Sequence, residues 1–112
     1  MTPLDNTGKF LMRVRDLSVA RLRSQYEGRM RDEWSHAVAS SVANLSAEQK
    51  MALAAAAVDT VLVTLLTSLE EDSSPALVAD GVDVKAVSDG LTGELWGARG
   101  WISRFSRFPE SA

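Results

Sequence analysis

Between Ser46 and Asp72 the chain reads SAEQKMALAAAAVDTVLVTLLTSLEED, and no other stretch restricts its folding as much. Ser46 followed by Gln49 fits a capping box, in which the Ser hydroxyl accepts from a free backbone amide and the Gln side chain reaches back to the cap. The helix therefore starts near Ala47, with Glu48 in the first turn where the helix dipole favours an acid. Glu70, Glu71 and Asp72, then Ser73, Ser74 and Pro75, mark its end, because Pro cannot continue a helix. On a helical wheel Met51, Ala54, Ala55, Val58, Leu62, Leu65, Leu66 and Leu69 share one face, assigned here to the core. The opposite face carries Leu53, Ala56, Ala57, Thr60, Val63, Thr64 and Thr67, without a charge among them. A surface helix turns charges to water, so a helix with none on either broad face needs cover on both.

The run is long enough to cross a bilayer, but Asp59 in its middle would cost about 2.5–3.5 kcal/mol there, and basic and aromatic flanks are missing. The reading is therefore a central bundle helix with no membrane partner. Its second cover is expected from the rest of the chain or from another copy; the dimer is favoured, with Leu53, Thr60, Thr64 and Thr67 as its face. Asp59 has no partner one turn away on its own helix, so a buried Asp59 requires a cation from elsewhere: Arg104, Arg99 or His36. Arg104 is the expected partner, tying the C-terminal segment to the scaffold.

The rest of the chain supplies the other helices. Pro3 and Asp5 can open a first helix, interrupted or delayed at Gly8 and running over about 9–26. Phe10, Leu11, Val14, Leu17 and Leu22 form its expected core stripe. A second helix is expected over about 29–44, with Met30, Trp34, Ala37, Val38, Ser41 and Leu45 inward and Trp34 as a core anchor. After Pro75 the pattern alternates. Asp80-Gly81 between ALVA and VDVKAV is a hairpin signal, because a type I′ turn needs positive φ at both central residues. The register then sets Ala79 opposite Val82 and Val78 opposite Asp83 within a hairpin over about 76–87. Trp101, Ile102, Arg104, Phe105 and Phe108 predict a short helix over about 98–107, stopped by Pro109. The fold class is mainly α: one domain, 1–112, a three-helix antiparallel bundle with a small β-hairpin and a short C-terminal helix.

Composition narrows the function. With 112 residues and 46% hydrophobic side chains there is one ordinary core, and a net charge of −3 does not favour nucleic acid. Arg13, Arg15, Arg21, Arg23, Arg29 and Arg31 scatter around the helical wheel instead of lining one face, and most have acids at helical spacing, so no nucleic-acid partner is expected. Cys is absent and His36 is the sole histidine, which leaves no thiolate or multi-histidine metal site and no cofactor expectation. Asp80, Asp83, Asp89 and Glu94 lack calcium-loop spacing. Gly93, Gly97 and Gly100 lack phosphate-loop spacing. No catalytic residue is assigned. The opening MTPLDNTGK has no basic and apolar signal segment, which points to the cytoplasm. Residues 36–94 carry nine acids against two bases. Glu70, Glu71, Asp72, Asp83, Asp89 and Glu94 are thus the expected surface for a basic protein partner.

The tail D-G-L-x-G-E, Asp89 to Glu94, followed by G-W-x-x-R-F-S, Gly100 to Ser106, resembles that of small uncharacterised bacterial proteins built from helices with a hairpin near the end. The resemblance implies a fold more than an activity. Compact acidic proteins of this kind are sometimes immunity proteins or inhibitors, by analogy only. The leading expectation is a non-enzymatic protein-binding module, with an immunity-type inhibitor using an acidic surface as its most specific form. The alternatives are a self-associating structural protein and a small enzyme or ligand-binding protein.

Overall fold

In the computed structural model, which describes residues 1–72 and 74–110, the chain is mainly helical. Helix α1 spans Pro3–Tyr26, α2 Glu33–Ser41, α3 Ala47–Glu71 and α4 Trp101–Phe105; strands β1, Val78–Ala79, and β2, Val82–Asp83, form the hairpin. Short 3₁₀ turns follow at Val84–Val87 and Thr92–Leu95.

Local chemistry sets most of these limits. Thr2 and Asp5 cap α1 reciprocally, and Pro3 occupies the first turn, where its missing N–H costs nothing. The helix therefore begins six residues before the expected Lys9 and runs through Gly8 without interruption. Gly8 is kept small by tertiary contact: a Cβ there would collide with the Trp101 ring. Positive φ at Gly28 follows the end of α1, and Asp32 caps α2 through the Ser35 amide, so α2 is shorter than the expected 29–44. Helix α3 has the expected capping box, Ser46 with Gln49. The end signal at Ser73 lies outside the described residues.

Asp80 and Gly81 have φ of 52° and 75°, as a type I′ turn requires, and Val78 pairs with Asp83 and Ala79 with Val82. One further bond in the same register, from the Val84 amide to the Leu77 carbonyl at 2.9 Å, ends the ladder. Asp83 caps the Lys85 amide and turns Val84 into a 3₁₀ segment, so the strands are shorter than 76–87. Helix α4 likewise covers only part of 98–107. Its start is fixed by Gly100, where a Cβ would strike the carbonyl oxygens of Leu95 and Trp96.

Helices α1 and α3 run antiparallel. Arg15 meets Asp59 at mid-length, Lys50 acts electrostatically on Glu27 at one end, and Asn6 bonds Asp80 beyond the other end of α3. One side of this pair buries Leu11, Met12, Val19, Val58, Leu62 and Leu66 beneath Val84, Leu91, Leu95, Trp101 and Ile102. The short α2 is joined to the far end of α1 through Gln25 and Ser35.

Two expected stripes are displaced. The buried side of α1 is Thr7, Gly8, Leu11, Met12, Arg15, Asp16, Val19 and Tyr26, whereas Phe10, Val14 and Leu17 are exposed. The tail and hairpin pack on the face that accepts Trp101 at Gly8, and this fixes the rotation of α1. In α2 Ser35 is buried and Val38 and Val42 are half-buried, while Trp34 is 74% exposed and so is no core anchor. On α3 the core side is as expected from Ala54 to Leu66, except that Leu65 lies largely open and Asp59 is buried.

Candidate interaction face

The most polar part of the interior is a closed charged cluster. Arg15 is 0% exposed. Its Nε donates to Asp59 Oδ1 at 2.7 Å and one Nη2 proton to Oδ2 at 3.0 Å, a bidentate pair. The remaining protons go to Ser106 Oγ at 2.8 Å, the Pro109 carbonyl at 2.7 Å and the Phe108 carbonyl. All five guanidinium donors are thereby used. Ser106 donates in turn to Asp16, which also accepts from the Arg107 amide at 3.1 Å. Each polar group is occupied by a neighbour in the chain, so the cluster binds the tail to α1 and α3 and presents no group to a substrate.

Asp59 therefore pairs with Arg15, not with Arg104. Arg104 Nη2 instead donates to Asp5 Oδ1 at 2.8 Å, with its guanidinium 4.5 Å from the Phe105 ring centre. That bond holds the Asp5 carboxyl below its ordinary value, with the Thr2 cap as the next cause. Arg23 and then Arg29 do the same for Glu27. Arg13 leans over Phe10, and Asp16, the acid three residues on, is taken by the tail. His36 is exposed on α2.

The six acids expected to form one surface are spread over separate local tasks. Glu70 accepts from the Thr92 amide and Glu94 from the Ser88 hydroxyl. Asp72 accepts from the Ser74 amide, and Asp83 caps its 3₁₀ turn. Glu71 and Asp89 are exposed. Asp72 and Asp83 do share a cleft of about 380 Å³ with Lys85, Leu77 and Leu91. Among the described residues no group of three or more His, Cys, Asp or Glu is placed to hold a metal ion.

Nor do Leu53, Thr60, Thr64 and Thr67 form one open seam. The Thr67 hydroxyl is 2.9 Å from that of Thr92, so the chain itself covers this end, and Trp96 stands beside Thr60 and Val63. Leu53, Thr60 and Thr64 are exposed, but the two Thr hydroxyls donate to carbonyls one turn back, at 2.8 Å each. Back-bonding of this kind satisfies the hydroxyls within the helix itself.

Besides scattered exposed residues such as Trp34, Val78 and Val87, an open apolar surface lies on the side of α1 and α3 turned away from the tail. Val14, Ser18 and Leu22 of α1 and Ala57, Val61 and Leu62 of α3 line a groove of about 250 Å³. Val61 is 67% exposed and Phe10 55%, and Leu17 and Leu65 are about half exposed. In a three-helix bundle the third helix fills such a groove; here α2 is too short and is held at the end of α1. The spacing of Phe10, Val14 and Leu17 is legible in the sequence, but it reads equally well as core. Only the rotation fixed by Gly8 and Trp101 turns it outward.

Helix α3 is also long and apolar enough to cross a membrane by length and composition, with 33% of its most apolar window buried in the fold. No protein-family model matches the chain, and no curated protein or solved structure matches it either.

Proposed function

We propose that this chain is a non-enzymatic protein-binding module whose recognition element is the α1/α3 face. The observation that carries the reading is the groove between Val14 and Val61, with Phe10, Leu17 and Leu65 also exposed on the same two helices, while among the described residues no buried polar side-chain atom lacks a partner. A contiguous apolar surface of this kind marks an interaction site more often than isolated exposed residues do. The cluster of Arg15, Asp16, Asp59 and Ser106 has the residue types of a catalytic centre. Its mutual saturation favours a structural role instead.

An acidic, immunity-type surface is the weaker version of the same function. It retains the cleft between Asp72 and Asp83, but four of its six acids serve the fold through local hydrogen bonds. The test is site-specific photocrosslinking in the native cell, with benzoylphenylalanine at Phe10, at Val61, at Asp89 and at the exposed control Ala98. Protein adducts concentrated at Phe10 and Val61 are expected. Adducts concentrated at Asp89 would transfer the function to the acidic side, and equal yields at all four positions would remove the reading.

A further inference from the structure

We propose that the occupant of the α1/α3 groove is a second copy of this chain, related by a two-fold axis along the groove, so that α1 of each copy covers α3 of the other. The inference rests on the reading of this face as an interaction surface and adds the identity of the partner.

Size is the first argument. Helices of 24 and 25 residues are about 36 Å long and, side by side, about 20 Å wide. Such a face offers roughly 700 Å², close to the approximately 800 Å² per partner of a standard interface. A single bound helix would cover about half of it, whereas an identical helix pair covers it all and closes a four-helix core.

Charge is the second argument, and it also selects the geometry. Between Lys50 and Glu70 the only ionisable residue of α3 is Asp59, and that side chain is turned inward. A strongly charged peptide would find nothing to pair with on this half of the groove. The α1 half is edged by exposed Arg13 and Arg21. Antiparallel stacking of α1 on its own copy would set Arg13 of one chain near Arg21 of the other, and like charges so placed repel. Stacking α1 on α3 avoids this by setting the basic edge against an uncharged helix.

The antiparallel register then matches apolar residues. Because Arg15 stands level with Asp59, Val14 lies within one residue of the level of Val61 and Phe10 within one residue of that of Leu65. A two-fold axis along the groove places Val14 opposite Val61 of the other copy, and Phe10 opposite Leu65. A lipid surface would meet the same side chains, and exposed Arg13 and Arg21 on α1 would draw it toward an anionic bilayer, so vesicle flotation is the arm of the test that separates the two occupants.

Sedimentation velocity across a concentration series, together with vesicle flotation, tests this. The full chain is expected to sediment as a dimer of the 12.1 kDa protomer and not to float with phosphatidylcholine–phosphatidylglycerol vesicles. V14K and V61E, both at exposed positions, are each expected to give monomers with unchanged circular dichroism. Mixing the two variants is expected to restore dimers, because the ammonium introduced in one chain would then face the carboxylate introduced in the other. A monomer at every concentration overturns the second copy as occupant; the crosslinking test above then tells whether the face binds a different protein or none. A dimer insensitive to V61E, or one that the mixture fails to restore, overturns the stacking of α1 on α3. Flotation of a monomer assigns the face to lipid.

Discussion

The energetically decisive residues are Arg15 and Asp59, since a buried charge that loses its partner has neither water nor a counter-ion. Breaking such a pair costs about 3–5 kcal/mol. Asp59→Ala is therefore expected to lower the stability in urea by that amount, whereas Arg104→Ala, which removes a half-exposed pair with Asp5, should leave the midpoint nearly unchanged. The reverse order would restore Arg104 as the clamp. Gly8→Ala provides a second check: its methyl group would enter the Trp101 ring, and overpacking of this kind costs about 1–3 kcal/mol despite the better helix propensity of Ala. That Asp59 needs a cation is legible from its place among Ala and Leu. That the cation is Arg15 is not, because Arg15 becomes a core residue only when Leu11 and Val19, one turn to either side, face inward.

Elements defined by their own neighbours are the legible ones. The Ser46–Gln49 cap and the Asp80-Gly81 turn depend on backbone geometry within four residues, and both occur as their side chains require. Helix α2 departs in phase from its apolar pattern because its nine residues make only about two and a half turns and touch the rest of the fold along one edge, so a Trp at helical spacing carries no information about which side is inward. Its cap nevertheless gives it a pH dependence. The Ser35 hydroxyl and amide hold the Asp32 carboxyl below its ordinary value, and Asp5 and Glu27 are lowered by Arg104 and Arg23. A depressed carboxylate contributes stability that is complete above its unfolded value and lost as the pH falls through the folded one. Protection of the Ser35 and Asp5 amides, with the intrinsic exchange rate divided out, should therefore be constant from neutral pH down to about 5 and fall only below about 4. An Asp32→Ala chain should show fast Ser35 exchange at every pH. Protection that fades while the pH is still above about 5 would assign the control to a group other than these carboxylates.

At the scale of the molecule the chain is closed by its own tail, and the tail and the apolar groove act on opposite sides of α1. Ser106, Phe108 and Pro109 supply acceptors to three of the five Arg15 donors, and Ser106 and Arg107 donate to Asp16. Val14 precedes Asp16 by two residues, about 200° around the helix, and faces the groove. Nothing in the tail sequence announces this strap: a short run ending in Ser-Arg-Phe-Pro has no periodicity to read, and what it contributes are largely backbone carbonyls, which every residue has. A chain ending at Phe105 should thus lose more stability than Ser106→Ala, which removes one hydrogen-bonding hydroxyl worth about 1 kcal/mol, because truncation unpairs Arg15 and Asp16 together. The same truncation should leave self-association through Val14 and Val61 unchanged at temperatures where the chain is folded, since no atom of the strap borders the groove. Urea melts and sedimentation of the truncated chain read the two effects separately. A truncated chain that keeps its midpoint would show that Arg15 is satisfied by water once the tail is gone. One that stays folded but turns monomeric would mean that the strap, and not the groove, carries the contact between copies.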